Sequence, residues 1–205
     1  MLQILRKKPS DEKLGAVTIL ALALLSFVGI WIQVIEATIL ASGYGVLDIE
    51  FAITATQMDR VIARFMEHGV LHLEVFVGQL DMIMTPGWSI LFFGVHLLGI
   101  RALTFLDKNE RFRRKTLHLT LLPLLAGAWD TIENLIILHV LTNPATYSRM
   151  LVPVMFVFVL LKFGMLFTSM VLGGIANIMA LFWVLKNAKQ KRDNANALHS
   201  PLKIK

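Results

Sequence analysis

The sequence predicts an all-α fold, a four-transmembrane-helix bundle with an amphipathic helix in its first outer loop. Three observations predict it. The chain is 56% hydrophobic with a mean hydropathy of +0.68, above the roughly 45–50% apolar content of soluble domains. Four apolar runs, at about 14–40, 82–106, 116–141 and 151–185, each exceed the roughly 18 residues that mark a membrane helix. Lys and Arg also alternate in density. There are four in residues 1–13, five in 107–115 and six from Lys186 onward, against only Arg60 and Arg64 in 41–80 and Arg149 in 142–150. Basic segments mark the cytoplasmic side, so four spans with both termini in the cytoplasm satisfy the pattern without exception.

In 205 residues little remains for a soluble domain. The expected division is a basic cytoplasmic N-terminus (1–13), a membrane domain (14–186) and a polar cytoplasmic tail (187–205). The expected location is the bacterial inner membrane. The chain has no cysteine, which excludes disulfides and thiolate metal sites. The net charge of +6 lies at membrane edges, so membrane lipids are the expected partners and nucleic acid is not. The segment 186–192 is suited to anionic headgroups. A homo-oligomer or a partner membrane subunit is the other partner class. No phosphate-cradling loop, nucleophile elbow or zincin motif occurs, and no cofactor is expected.

Span 1 follows a basic entry. Its apolar stretch is far longer than the roughly 7–15 residues of a signal-peptide core, so it reads as a retained anchor. SGYG (42–45) is a glycine-containing loop, and LDIEF (47–51) holds Asp48 and Glu50 at the outer interface. An amphipathic helix over approximately 55–80 comes next, with Thr54 and Gln57 forming a capping box. Met58, Val61, Ile62, Phe65, Leu73, Phe76 and Leu80 recur at helical spacing. This helix is expected to lie on or dip into the outer leaflet, or to run on directly into span 2. Span 2 opens near Asp81, where Pro86-Gly87 implies a kink or a late start. Pro123 is placed to bend span 3. Asn143-Pro144 is a turn. Span 4 would measure roughly 52 Å as a straight helix against a hydrocarbon core of about 30 Å. It must therefore tilt, break near Gly173-Gly174 or protrude. Trp183 is an interfacial anchor, and the tail past 187 is expected to be irregular.

Each span carries a polar stripe at i, i+3, i+4 spacing: Thr18, Ser26, Gly29, Gln33 and Glu36 in span 1; Asp81, Thr85, Ser89, His96 and Gly99 in span 2; Gly127, Asp130, Glu133, Asn134 and Ile137 in span 3; Ser169, Gly173, Asn177 and Ala180 in span 4. Lipid offers such groups no partners, so the stripes are expected to face inward. Small and hydroxylated residues read as helix-packing glue. Carboxylates at membrane depth are costlier and point to function. The candidate ligand-binding set is Glu36, Asp81, His96, Asp130, Glu133, Asn134 and Lys162. Asp130 and Glu133 are the catalytic candidates. Lys162 has two readings. Counted from Leu151 it lies level with Asp130; counted back from Lys186 it is a snorkelling residue near the outer interface. His68 and His72, spaced i, i+4 beside Glu67 and Glu74, are weak metal candidates because a zinc site wants a third protein ligand; no metal is expected. His96 reads first as a hydrogen-bonded core histidine and second as a proton-relay member.

L-D-x-E-F after span 1, Asp81 opening span 2 and D-x-x-E-N in span 3 resemble a group of small bacterial four-span membrane proteins. The resemblance implies that Asp48, Glu50, Asp81, Asp130, Glu133 and Asn134 are signature positions, and it carries no activity with it. The layout is also similar, in architecture alone, to the sterol-isomerase and sigma-2-receptor type.

The favoured function is a binding or accessory role, holding a lipid-like ligand or a partner subunit through the intramembrane carboxylates. One alternative is a membrane enzyme on a lipid or isoprenoid with Asp130 or Glu133 as general acid/base. Another is a proton or cation conduit along Glu36, Asp81, Asp130 and Glu133. An enzyme needs a roomy pocket with convergent polar groups, and a conduit needs a continuous wet path.

Overall fold

The computed structural model describes residue 5, residues 9–106 and residues 118–198. The basic loop 107–115 and most of the N-terminal basic cluster fall outside the described residues, as do the side chains of Ala180 and Trp183. Among the described residues there are six α-helices and no strand. They are α1 (Asp11–Ile39), α2 (Val46–Glu50), α3 (Ala55–Glu67), α4 (Leu71–Leu106), α5 (Leu122–Thr142) and α6 (Leu151–Leu198). Four of them contain segments long and apolar enough to cross a membrane: Asp11–Ser42, Leu71–Ala102, Leu122–Thr142 and Leu151–Met179. This is an all-α four-helix bundle with the composition of a multi-pass membrane protein.

The helix ends follow local chemistry. Ser10 caps α1 through its side chain, and Asp11 and Glu12 sit in the first turn, where the helix dipole favours negative charge. A 3-10 turn, Leu40–Ser42, closes α1, and Gly43 follows at φ 87°, a conformation that suits glycine. Thr54 and Gln57 form the expected reciprocal capping box on α3. Pro123 is the second residue of α5. There its missing N–H costs nothing, so it starts the helix rather than bending it. Pro86 lies inside α4, which is continuous from Leu71 to Leu106; neither Pro86 nor Asp81 marks a helix start. Likewise α6 runs unbroken through Gly173-Gly174 and on to Leu198. Its last stretch, expected to be irregular, mixes Ala, Lys, Gln and Arg, which are good helix formers, with Asn and Asp, which are poorer ones.

The predicted helix over 55–80 is two elements. α3 ends at Glu67, His68 caps it, and Gly69 turns the chain at φ 68°. Leu73, Phe76 and Leu80 belong to α4. The apolar face of α3 is turned onto protein rather than lipid: Met58, Val61, Ile62 and Phe65 are buried with Ile39, Ile49, Val77, Val140, Leu141, Val152 and Met155 in one core at the end of the bundle. Each such side chain contributes about 1.5–3 kcal/mol of burial, so α3 is a cap on the bundle. Tyr147 and Arg149, in the turn before α6, hold the cap by hydrogen-bonding Asp59 of α3. Burial, reinforced by the Asp59 carboxylate, pushes the Tyr147 phenol up to about 12.

The four long helices are not equivalent. α4, α5 and α6 pack on one another, while α1 packs chiefly on α4. Glycines on α4 admit α1 closely; a Cβ at Gly94 would fall 3.2 Å from Thr18 Cβ, and one at Gly87 would fall 3.2 Å from Leu25 Cδ2. The inward stripe of α1 is Leu14, Thr18, Ala21, Val28 and Ile39. Ser26 and Gln33, expected on it, are exposed. Ser26 satisfies its hydroxyl on the Leu22 carbonyl at 2.9 Å, which removes the need for a partner helix. At the far end of α1, Arg101 of α4 hydrogen-bonds the Leu5 and Pro9 carbonyls and the Asp11 carboxylate.

Candidate functional site

α5 presents Gly127, Asp130, Glu133, Asn134 and Ile137 on one buried face. The i, i+3, i+4 spacing alone puts them there. α6 begins at Leu151, so Lys162 lies eleven residues along it, as deep as Asp130 lies twelve residues before the end of α5 at Thr142. The snorkelling alternative does not hold. Lys162 is buried, and its Nζ is 2.9 Å from Glu133 Oε1, 3.0 Å from Glu50 Oε1 and 3.1 Å from Asp130 Oδ1. One ammonium, with three N–H groups, meets three carboxylates drawn from α2 and α5.

Glu50 is the member that the sequence reading placed at the outer interface. α2 is a short helix on the loop after span 1; Ile49 and Glu50 are its buried residues. Burial raises the Glu50 carboxyl above its ordinary range, and the Lys162 ammonium pulls it back. Phe51 stacks on Phe163 at 5.6 Å, and Lys162 Nζ lies 4.8 Å from the Phe163 centroid, so an aromatic pair flanks the ion-pair centre.

Asp130 is held from all sides. Besides Lys162 on Oδ1, its Oδ2 accepts the Thr85 hydroxyl and, at 3.3 Å, the Trp88 indole N–H. Asn134 donates to Asp81 Oδ2 at 2.9 Å. Ser89 satisfies itself on the Thr85 carbonyl and fits the slot opposite Gly127, where a Cβ would fall 1.9 Å from its Oγ.

Beside this centre is a cavity of about 150 Å³ lined by Ile32 and Glu36 of α1, Val46 and Glu50 of α2, Glu74, Val77, Gly78 and Asp81 of α4, and Asn134 and Ile137 of α5. Glu74, which the sequence showed only as a neighbour of His68 and His72, is 2% exposed. Its Oε2 has no hydrogen-bond partner among the described residues, and the same is true of Glu50 Oε2 and Glu133 Oε2.

The sequence candidates therefore divide. Glu36, Asp81 and Asn134 line the cavity. Asp130, Glu133 and Lys162 form the ion-pair centre next to it, with Glu50 belonging to both. His96 stands apart. Its Nδ1 is 3.1 Å from Ser169 Oγ, and its ring fills the slot at Gly173, the place of a packed, hydrogen-bonded histidine. His68 and His72 do not share a helix, because the turn at Gly69 separates them, and both are exposed. No group of three metal-ligating side chains occurs among the described residues. Glu74 was missed, and Glu50 entered only as a signature position of the resemblance, because burial of a short loop helix and of the first turn of α4 leaves no period in the sequence.

No family model, curated protein or solved structure matches the chain. The likeness carried by L-D-x-E-F and D-x-x-E-N rests on those motifs alone.

Proposed function

We propose that this chain is a membrane-embedded binding protein that holds a lipid-like amphiphile in the cavity between α1, α2, α4 and α5. The observation that carries the reading is the lining itself: apolar walls from Ile32, Val46, Val77 and Ile137, with carboxylates and one amide converging on the same space. Ligand pockets have this make-up, mostly apolar with a few placed polar groups. The ion-pair centre backs the site and reaches the cavity through Glu50. The enzyme alternative is weaker on this geometry. Asp130 has both oxygens engaged, and neither it nor Glu133 lines the cavity, whereas a general acid/base must reach its substrate.

Purification from native membranes followed by lipid mass spectrometry tests the reading. The wild type should retain a defined amphiphile at near-stoichiometric amount, and Glu36→Gln with Asp81→Asn should lose most of it while still folding, since both changes keep shape and hydrogen-bonding capacity. An identical lipid profile in both proteins would overturn it.

We also propose that both termini lie in the cytoplasm, on the Lys/Arg asymmetry, and that the membrane is a bacterial inner one, on the motif likeness alone. Reporter fusions at Asn109, Asn143 and Lys205 should read inside, outside and inside. An external signal at Asn109 would reverse the topology.

A further inference from the structure

We propose that the amphiphile bears a protonated alkylamine head, a primary ammonium with no neighbouring anion, and that Glu74, Glu36 and Asp81 receive it. This rests on the cavity being a ligand site. Three observations lead to it. The first is charge. Lys162 is already surrounded by Glu50, Asp130 and Glu133, and among the described residues none of Glu36, Glu74 and Asp81 is in an ion pair. Three further carboxylates thus line one small cavity without a cation of their own. The second is the unpartnered acceptors. Glu74 is 98% buried by its 2% exposure, and its Oε2 and that of Glu50 lack a donor. A buried acceptor left unmade is costly, and an ammonium brings N–H donors to such oxygens as charge-assisted bonds. The third is size and wall chemistry. A cavity of about 150 Å³ takes a molecule of about six non-hydrogen atoms, which is an ammonium and its first methylenes, and Ile32, Val46, Val77 and Ile137 suit those methylenes.

The same lining separates the amine from its rivals. A quaternary ammonium has no N–H for the open carboxylate oxygens, and among the described residues no aromatic side chain lines the cavity to receive it. A zwitterionic lipid head would bring its phosphate against the carboxylates.

The test uses the full chain in neutral phosphatidylcholine nanodiscs, with n-hexylamine, n-hexanol, hexanoate and hexyltrimethylammonium as matched probes, read by thermal unfolding and equilibrium binding. Hexylamine should bind and raise the melting temperature, with the other three at least about tenfold weaker. Glu74→Gln and Glu36→Gln should each weaken hexylamine by about tenfold, the effect of one lost charge-assisted contact. Glu36 is half-buried at the rim, so its variant decides the matter if Glu74→Gln does not fold. Equal binding of hexanol, or hexylamine binding indifferent to both variants, overturns the amine. If no probe binds but a lipid still co-purifies and is lost from the cavity variants, the amine fails and the binding reading stands. If no probe binds and no lipid is retained, both fail.

Discussion

Lys162→Met should be the most damaging single substitution in the chain. Methionine fills much of the lysine's volume but removes the charge and the three N–H donors. Glu50, Asp130 and Glu133 would then share a buried space with no other cation paired to them among the described residues. Breaking a buried ion pair from one side costs roughly 3–5 kcal/mol, and here three partners lose their counter-charge together. Against a typical total stability of about 5–15 kcal/mol, most of the protein should fail to reach a monodisperse peak in detergent. The companion is the fully neutral set, Glu50→Gln, Asp130→Asn, Glu133→Gln and Lys162→Met. It should recover much of the loss, because a whole buried charge group can be replaced at little cost where half of it cannot. If Lys162→Met melts within about 2 °C of the wild type, a shift worth only a fraction of a kcal/mol, the centre is not what holds α2 to α5 and α6.

The second large effect is expected at Gly173. A Cβ there would fall 2.0 Å from His96 Nε2, 2.2 Å from Cδ2 and 2.4 Å from Cε1. The ring lies across the glycine and is fixed by its contact with Ser169. Gly173→Ala must push the ring out, break that contact, or part α4 from α6. Overpacking of this kind costs about 1–3 kcal/mol. His96→Ala alone opens a void; combined with Gly173→Ala it should give a double variant more stable than the sum of the single losses allows. Gly174→Ala is the control, since nothing lies within 4 Å of its Cβ, and it should be neutral or stabilising by up to about 1 kcal/mol through helix propensity. Thermal unfolding of the four variants decides it: a melting temperature for Gly173→Ala equal to that of Gly174→Ala would remove the close approach.

Much of this was legible in the sequence, for a physical reason. Membrane helices announce themselves by length and hydropathy, and a polar stripe at 3.6-residue period can face inward only. That logic places Asp130, Glu133 and Asn134 on a buried face, as observed. It fails where a polar side chain satisfies itself, as at Ser26, or where one helix leans on a single neighbour, as α1 does on α4. Lys162 was ambiguous because α6 overruns the bilayer at one end and hydropathy does not say which. α5 and the turn at Asn143 fix the start, so the excess length falls at the C-terminal end. The i, i+4 pairing of His68 and His72 assumed an unbroken helix, and one glycine at positive φ interrupts it. Glu50 was beyond reach because its partner is 112 residues away, and loop helices of five residues carry no periodic signal.

That separation has a consequence for how the protein is made. Glu50 leaves the ribosome with the first span, Asp130 and Glu133 with the third, and their shared counter-ion only with the last. Until α6 has entered the membrane, the loop bearing α2 has no electrostatic reason to tuck in, and the carboxylates of α5 lack their counter-charge. Closure of the cap is therefore a late event in biogenesis, tied to completion of the chain. A nascent protein stalled after three spans would present an open, acidic, unlatched mouth, a form that membrane quality control can tell from the finished one.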